Sequence, residues 1–403
     1  MNKNFIEAKE RFGEGGLGVF EEVSRLDATL AWGPTGVEAV LATLIPEDKS
    51  LFFGKMDVLK ARKQYDSFEN VLLKRGSGVI RVRDLAALAL MNVGGEMPAK
   101  NLIDLRQKIL NKAERLISEY GRGMGEVTDC IYEILVDDAN YYESEEASIR
   151  LNAELAKIAT NELPLANLLF GRDQSNMVGD TLYWSNMRKE IRDPEVSLWK
   201  MALRDFMGGM NSVEVKGDGR LEGGDLIVHK GDCLVGVGGR SNQKGVEQIA
   251  PSILNSGLRL FEVYHPGRDG GLLEHQTTMH LDTFYMPGPK NTAVVLIEEA
   301  EERQLFQLMS RAGQVKEFPT GNFADYIYYS GEDIIPLSRE QQLGYQANFV
   351  VLDEKSVLLT TSGDGYLKKE FEKRGIEVVD GNLSAITQGY GGAHCSITPI
   401  LRS

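Results

Sequence analysis

Ala293-Val294-Val295-Leu296-Ile297, followed directly by Glu298 to Ala312, is the stretch that indicates the fold class. A short apolar run rich in β-branched residues predicts a buried strand, and the segment after it is predicted to be a helix. Similar short strands are predicted at Leu226-Ile227-Val228 and at Ser356 to Thr361, with glycine-rich turns between elements. This alternation extends from Leu163 to Ser403 and predicts an α/β fold.

The sequence before residue 84 has a similar character. Strand-like runs occur at Ala28 to Trp32 and at Ser50 to Phe53, separated by a Gly33-Pro34 turn. A helical segment is predicted from Val58 to Lys74. We therefore expect residues 1–83 to form the N-terminal part of the same α/β domain as residues 163–403.

Residues 84–162 are predicted to be almost wholly helical. Apolar residues recur at helical spacing in Asn101 to Leu110 and in Val127 to Val136. A third helix is predicted from Ser144 to Thr160, with Ser144 as its N-cap. The sequence thus indicates a helical domain inserted into an α/β domain.

Composition restricts the class of protein. The chain has 403 residues, 42% of them hydrophobic, and no apolar stretch long enough for a membrane helix. Its three cysteines, Cys130, Cys233 and Cys395, are far apart and form no CxxC pair, which argues against disulfides and zinc and predicts a cytoplasmic protein. The net charge of -14 argues against a nucleic-acid partner.

Gly391-Gly392-Ala393-His394-Cys395 is the strongest indication of function. A glycine pair lets the backbone approach a ligand closely because glycine has no side chain to clash. A histidine beside the thiol can help to hold it as the thiolate, which is the nucleophilic form. Cys395 is therefore predicted to be a nucleophile, and the side chain of His394 could also point away from it.

Three further motifs carry acids, histidine and an amide. In Met279-His280-Leu281-Asp282-Thr283, a strand would direct His280 and Asp282 to one face, where they could transfer protons and bind a planar cation. Leu221-Glu222-Gly223-Gly224-Asp225 places carboxylates on both sides of a glycine pair. A polar pair on an edge strand and an ordinary turn are the alternatives for these two motifs.

The fourth motif is Asn167-Leu168-Leu169-Phe170-Gly171-Arg172-Asp173, which spaces an amide, an aromatic ring and a carboxylate three residues apart. Arg188 and Arg240 follow it, and the planar guanidinium group binds carboxylates well. A helix or strand end would also explain the motif, and a solvated surface charge would explain each arginine taken alone.

The motifs Asn-x-x-Phe-x-Arg-Asp, Glu-Gly-Gly-Asp, Met-His-Leu-Asp-Thr and Gly-Gly-x-His-Cys, in this order, resemble those of the arginine deiminases, which belong to the guanidine-modifying superfamily. The resemblance covers the chain from about Leu30 to Arg402, and the helical block resembles the helical insertion of that family. It implies a five-bladed, pseudo-symmetric α/β propeller with an inserted α-helical domain.

The resemblance also implies a role for each motif residue. Cys395 would be the nucleophile and His280 the general acid and base. Asp173 and Asp282 would hold the guanidinium nitrogens, with help from Glu222. The implied substrate-binding residues are Asn167, Phe170, Arg188, Arg240, Asp225 and the backbone of Leu44.

Two positions depart from the family pattern. Gly171 stands where the family often has threonine, and the loop from Gln388 to His394 lacks the arginine that many members carry. We expect these departures to affect substrate recognition and to leave the catalytic set intact.

The implied reaction is the hydrolysis of L-arginine to citrulline and ammonia through a covalent cysteine intermediate, with neither a metal nor a cofactor. The alternatives are an amidinotransferase that passes the amidino group to an amine, a deiminase of another guanidino compound, and a non-catalytic arginine-binding protein. The expected partners are the small-molecule substrate and further copies of the chain in a homo-oligomer, with no nucleic acid and no membrane.

Overall fold

The computed structural model describes residues 17–52, 56–93, 102–120, 125–141, 165–265, 278–311 and 314–403. Its strands are β1 (Leu26–Ala31), β2 (Gly78–Arg81), β3 (Ser175–Val178), β4 (Thr181–Trp184), β5 (Asn211–Glu214), β6 (Leu226–His229), β7 (Asp232–Val237), β8 (Arg259–Tyr264), β9 (Tyr285–Gly288), β10 (Thr292–Val295), β11 (Gln304–Arg311), β12 (Gln314–Asn322), β13 (Asp333–Pro336), β14 (Val350–Asp353), β15 (Ser356–Leu359), β16 (Glu377–Asp380) and β17 (Ile397–Arg402).

Helices connect most of these strands. They are α1 (Val37–Ala42), α2 (Glu47–Ser50), α3 (Val58–Lys74), α4 (Val82–Val93), α5 (Leu102–Tyr120), α6 (Gly125–Tyr141), α7 (Gly171–Gln174), α8 (Asp193–Leu203), α9 (Gln243–Asn255), α10 (Ile297–Glu301), α11 (Phe323–Tyr329), α12 (Arg339–Leu343) and α13 (Tyr366–Lys373), with short 3-10 helices at Glu190–Arg192, Gly223–Asp225, Leu281–Thr283 and Ile386–Gly389. In the part of the chain that the structure describes, no helix combines the length and apolarity needed to cross a bilayer.

The described strands form five small sheets with one repeated pattern. Their orders are β17-β1-β2, β3-β4-β5, β6-β7-β8-β11-β12, β9-β10-β13 and β14-β15-β16. In each, an edge strand pairs antiparallel with its neighbour, which then pairs in parallel with a third strand. Helices lie between the parallel partners in sequence, because parallel neighbours need a crossover connection.

The helical region packs on the same apolar clusters as the sheets. Ile109 on α5 and Ile131 on α6 are buried in a cluster that also contains Phe68 of α3 and Val350 of β14. Helix α4 contributes Leu85 to a second cluster, which includes residues of β1, β4 and α8. The two predicted helices at 101–110 and 127–136 are thereby confirmed for their described residues, and the predicted helix from 144 to 160 lies outside the described residues.

Several predicted elements are confirmed. The strand at Ala28 to Trp32 is β1, the helix at Val58 to Lys74 is α3, and the three strands predicted after residue 220 are β6, β10 and β15. Helix α3 begins where Asp57 caps it by accepting a hydrogen bond from the Lys60 N–H at 3.0 Å. The α/β fold class predicted from alternating strands and helices therefore holds.

The predicted helix from Glu298 to Ala312 is wrong beyond Glu301. Gln304–Arg311 is strand β11, which pairs with both β8 and β12. Its alternating pattern places Leu305 and Leu308 in the interior, so sheet pairing overrides the local helical spacing. In the acidic run from Glu298 to Glu302 that precedes this strand, Glu299 is buried and pairs with Arg303 at 2.6 Å.

The predicted strand at Ser50 to Phe53 is also wrong. Ser50 ends helix α2, and Leu51 has φ of 60°, a left-handed conformation that no strand adopts. Phe52 is nevertheless fully buried, which explains why this short run is apolar, and Phe53 lies outside the described residues.

Candidate active site

Residues from five sheets meet at one buried site. Each lies just before the edge strand of a sheet: Asp173 before β3, Glu222 before β6, Asp282 before β9, Asn348 before β14 and Cys395 before β17. None of these residues is more than 2% exposed. The repeated sheet geometry thus brings chemically active residues from distant parts of the sequence close enough to influence one another's charge.

Cys395 is held in a loop by hydrogen bonds to its backbone and sulfur. Its N–H donates to Oδ1 of Asn348 at 3.1 Å, and Nδ2 of the same amide lies 3.1 Å from Sγ. The thiol donates to Oδ2 of Asp282 at 3.4 Å. Burial, with the nearby carboxylates of Asp282 and Asp173, raises the pKa of Cys395 well above its ordinary value. Burial and these carboxylates therefore favour the neutral thiol over the thiolate.

His280 lies among carboxylates. Its Nε2 is 3.0 Å from Oε2 of Glu222, and its Nδ1 is 3.7 Å from Oδ1 of Asp173. Burial alone would lower the pKa of His280, but Asp173, Glu222 and Asp225 together raise it to about 10. The ring is therefore an imidazolium at neutral pH and can donate a proton. The prediction that His280 and Asp282 share a strand is wrong, because His280 precedes the 3-10 helix Leu281–Thr283.

Glu222 is surrounded by cations and donors. Nη1 of Arg240 is 3.5 Å from its Oε2, and the Arg188 backbone N–H donates to its Oε1 at 3.0 Å. Burial by itself would raise the pKa of Glu222, but Arg240 and His280 hold it well below its usual range. Asp225 differs: burial raises its pKa to about 6, and it accepts a hydrogen bond from Ser241 at 2.6 Å.

Asp282 is oriented by the histidine beside the nucleophile. Nδ1 of His394 is 2.8 Å from Oδ2 of Asp282, and its Nε2 is 3.2 Å from Oε1 of Glu22. Glu22 in turn pairs with Arg172 at 3.1 Å and Arg402 at 3.0 Å. Although burial opposes it, hydrogen bonding from His394 lowers the pKa of Asp282. The His394 side chain therefore points into the site and keeps this carboxylate ionised.

Asp173 is bound by Arg192, an arginine that lies outside the sequence motifs. Nη1 of Arg192 lies 2.6 Å from Oδ2 of Asp173 and 3.8 Å from Oε2 of Glu222. Its Nε is 3.0 Å from Oε2 of Glu195, which is itself fully buried. The Gly224 N–H donates to Oδ1 of Asp173 at 3.3 Å, so the orientation of this carboxylate is fixed from two sides.

The glycines of the nucleophile loop allow it to lie against an aromatic ring. A Cβ on Gly391 would lie 2.5 Å from the ring of Phe170, and one on Gly389 would lie 2.9 Å from it. A Cβ on Gly392 would lie 2.3 Å from Oγ1 of Thr360. Larger residues would push the loop away, so these glycines set the position of Cys395.

The family model for arginine deiminase matches residues 48–402. The chain belongs to the arginine deiminase family. The arginine deiminase of Mycobacterium marinum is 25% identical, with 96% of this chain and 98% of the relative covered. That of Listeria innocua is 24% identical, with 96% and 99% covered.

Solved structures share the α/β fold at lower identity. One is a dimethylarginine dimethylaminohydrolase from Pseudomonas aeruginosa in complex with citrulline, with a TM-score of 0.55 and 14% identity over 94% of this chain and all of that chain. Another is an amidinotransferase of Microseira wollei from the saxitoxin pathway, with a TM-score of 0.56 and 14% identity over 96% and 97%. At this identity the likeness concerns the fold alone.

Most of the predicted substrate-binding residues lie at or near the buried site, but one does not. Asp225 and Arg240 border Glu222, and Phe170 and Leu44 are buried in the cluster that contains Cys395. The Asn167 side chain donates to the Ser50 carbonyl at 3.2 Å. The exception is Arg188. Its side chain is exposed, and its contact with the site is made by its backbone N–H, which donates to Glu222.

Asp173, Glu222 and His280 offer ligand atoms within 4.8 Å of one another, as a metal site would. The cluster is already neutralised by the His280 imidazolium and by Arg192 and Arg240. His280 would have to lose its proton before it could bind a metal, which its raised pKa opposes. The proton on His280 therefore opposes metal binding by this set of residues.

Three contributors were missed from sequence: Asn348, Arg192 and Glu22. Asn348 could have been found from sequence. In Asn348-Phe349-Val350-Val351 a polar residue stands just before an apolar strand, as the other site residues do. No comparable signal marks Glu22, whose partners lie more than 100 residues away.

Proposed function

We propose that this chain hydrolyses L-arginine to L-citrulline and ammonia through a covalent intermediate on Cys395. The observation that carries this proposal is the position of a buried thiol next to Asp282, with His280, Glu222 and Asp173 on the same buried cluster. Two carboxylates can hold a guanidinium by charge-assisted hydrogen bonds and can offset its buried charge. Membership in the arginine deiminase family supports the same reaction.

Substrate recognition would combine the motif residues. Asp173 and Asp282 would bind the guanidinium nitrogens, and Glu222 would contact the nitrogen next to the reacting carbon. Phe170 would pack against the aliphatic stem, while Arg188, Arg240 and Asn167 would bind the α-carboxylate and Leu44 the α-amino group. Arg240 is the better placed of the two arginines, because its side chain is buried against Glu222.

In the first half-reaction, the substrate cation favours the thiolate and Cys395 releases its proton to solvent. The sulfur attacks the guanidinium carbon, and a C–S bond forms in a tetrahedral adduct. His280 donates its proton to the departing nitrogen, which leaves as ammonia with the electrons of its C–N bond. A thiouronium cation remains on Cys395, and His280 is neutral.

In the second half-reaction, neutral His280 takes a proton from water as the water oxygen bonds to the same carbon. The new adduct collapses, the C–S bond breaks and the electrons return to sulfur as thiolate. Loss of the hydroxyl proton yields the ureido group of citrulline. The balance is one arginine and one water in, one citrulline and one ammonium out.

We also propose the five-bladed propeller and the inserted helical domain at residues 84–162. The five sheets with one repeated strand pattern support the blades, and the pairing of β1 with β17 would close the ring. The insertion is supported by helices α5 and α6, which fall between β2 and β3 in sequence.

Location and assembly are further proposals. Cys130, Cys233 and Cys395 form no disulfide, which suits the reducing cytoplasm. Exposed Tyr328, Tyr329 and Leu343 on helices α11 and α12 offer apolar surface for contact between copies in a homo-oligomer. Light scattering during size-exclusion chromatography would measure the oligomeric state.

The test is incubation of purified protein with L-arginine, without added metal, followed by assay of citrulline and ammonia. Equal amounts of both, absent from Cys395→Ala, would support the proposal. Ornithine formed only when an acceptor amine is added would instead indicate an amidinotransferase. Arginine binding without any product from the wild-type protein would indicate a non-catalytic binding protein.

A further inference from the structure

Asn348 holds the position in its sheet that catalytic candidates hold in the other sheets. Asp173, Glu222, Asp282 and Cys395 each precede an edge strand, and Asn348 precedes the edge strand of β14-β15-β16. The side chain is fully buried and touches the reacting sulfur. Its place in the fold and its contact with Sγ therefore both suggest a part in the chemistry.

Every hydrogen-bonding group of the Asn348 amide is used. Nδ2 carries two hydrogens, one directed to Sγ of Cys395 at 3.1 Å and one to the backbone oxygen of Asp282 at 3.0 Å. Oδ1 accepts the Cys395 N–H at 3.1 Å. A reversed amide would face the Asp282 carbonyl oxygen with its own oxygen, so these contacts fix which end points at the sulfur.

The backbone around the amide is also fixed. The Thr360 hydroxyl donates to the Asn348 carbonyl oxygen and accepts the Ala393 N–H at 2.8 Å. A Cβ on Gly392 would lie 2.8 Å from Oδ1 of Asn348, so a larger residue there would displace the amide. The donor is thus in place before any substrate binds, as electrostatic stabilisation of developing charge requires.

We propose that Asn348 is a further catalytic residue, which stabilises negative charge on the Cys395 sulfur when the thiolate forms and again when it leaves the second adduct. The second of these roles rests on the proposed function. A hydrogen-bond donor to the sulfur is needed because the carboxylates of Asp282 and Asp173 oppose a thiolate beside them. An uncharged amide can offset them without competing with His280 for a proton.

Asn348→Asp is the sharpest test, because the side chain keeps its size while the N–H donor becomes an anionic oxygen. The rate at which iodoacetamide alkylates Cys395 is measured against pH in substrate-free protein, and kcat and KM are measured with L-arginine. Because a hydrogen bond to a charged group is the interaction lost, we expect kcat to fall about 10- to 100-fold, with KM changing much less. The midpoint of the alkylation profile should rise by about one pH unit or more.

Asn186→Asp is the matched control. Its Nδ2 likewise makes two hydrogen bonds, here to the backbone oxygens of Gly217 at 3.1 Å and Gly219 at 2.6 Å, and neither is to the sulfur. It should leave the alkylation profile unchanged. If Asn348→Asp does not fold, Asn348→Ser, whose side chain is too short to reach the sulfur, should shift the profile in the same direction.

An unchanged alkylation profile in a folded Asn348 variant would overturn the proposal, as would an equal shift in Asn186→Asp. Either of these results can be told apart from a failure of the proposed deiminase function. Wild-type protein that makes no citrulline would refute the deiminase activity, while the alkylation profiles would still decide whether Asn348 stabilises the thiolate.

Discussion

Nη1 of Arg192 lies 2.6 Å from Oδ2 of Asp173, so a carboxylate expected to hold the substrate guanidinium already binds a guanidinium of the chain. Glu195 fixes that arginine from the other side, at 3.0 Å from its Nε. Arg192 thereby orients Asp173 and leaves its Oδ1 directed toward the Gly224 N–H and His280.

Arg192→Gln should damage both stability and substrate binding. Removing one partner of a buried ion pair leaves uncompensated charge on Asp173 and Glu195, which typically costs about 3–5 kcal/mol in the free energy of unfolding. KM for arginine should rise because Asp173 loses its orientation. Denaturant unfolding and steady-state kinetics measure the two effects.

The control is Arg204→Gln, whose partner Asp205 is exposed, and it should change the unfolding free energy by less than about 1 kcal/mol. An Arg192→Gln protein with wild-type stability and kinetics would show that Asp173 is oriented without Arg192.

Activity should persist well above the ordinary pKa of histidine. Because the carboxylates around His280 raise its pKa to about 10, the imidazolium that protonates the leaving nitrogen remains available through neutral pH and is lost as pH approaches 10. The pH profile of kcat/KM measures this directly. A loss of activity centred near 6.5, the unperturbed value for histidine, would contradict the ion-pair assignment.

A second histidine should make stability depend on pH. His229 lies 2.5 Å from Glu21 and 2.7 Å from Glu332, and although burial opposes it, these hydrogen bonds raise its pKa to about 9. The folded state therefore holds a proton that the unfolded state releases above about 6.5. Stability should fall by up to about 3 kcal/mol as pH rises from about 6.5 to 9.

His229→Gln should remove this dependence, and melting temperatures at several pH values would show it. His265→Gln is the comparison, since its ring is 3.6 Å from exposed Glu302. Equal pH dependence in wild type and His229→Gln would refute the role of the Glu21–His229–Glu332 contacts.

Gly224 should tolerate no side chain. A Cβ there would lie 2.7 Å from Nδ1 of His280, so alanine must displace the ring. Because misplacing a catalytic group by about 1 Å can cost about 100-fold in rate, Gly224→Ala should lose activity on that scale. Gly208→Ala, whose added carbon would meet nothing closer than 3.5 Å, should remain active. Wild-type activity in Gly224→Ala would place His280 outside the reaction.

Sequence was most informative where the residues form a recognisable motif or a simple pattern. Cys395, His280 and Asp282 could be singled out because their motifs, taken in order, resemble those of a known family, and the structure places them near one another. The α3 helix could be predicted because its buried side chains, such as Tyr65 and Phe68, follow one helical face.

Sequence failed where the fold supplies the partner. Arg192 resembles a surface arginine until the 3-10 helix Glu190–Arg192 brings it against Asp173, 19 residues earlier. Asn348 is a lone amide until the sheets place it beside Cys395, 47 residues later. Strand β11 was predicted as helix because its pairing with β8 and β12 is not visible in its own residues.

Hydrolysis of a guanidinium carbon through Cys395 can be followed by running the reaction in ¹⁸O-water. Citrulline formed from L-arginine should gain one heavy oxygen in its ureido group, because that oxygen comes from the attacking water. Cys395→Ala should form no citrulline. Unlabelled citrulline from the wild-type protein, or labelled citrulline from Cys395→Ala, would rule out hydrolysis through Cys395.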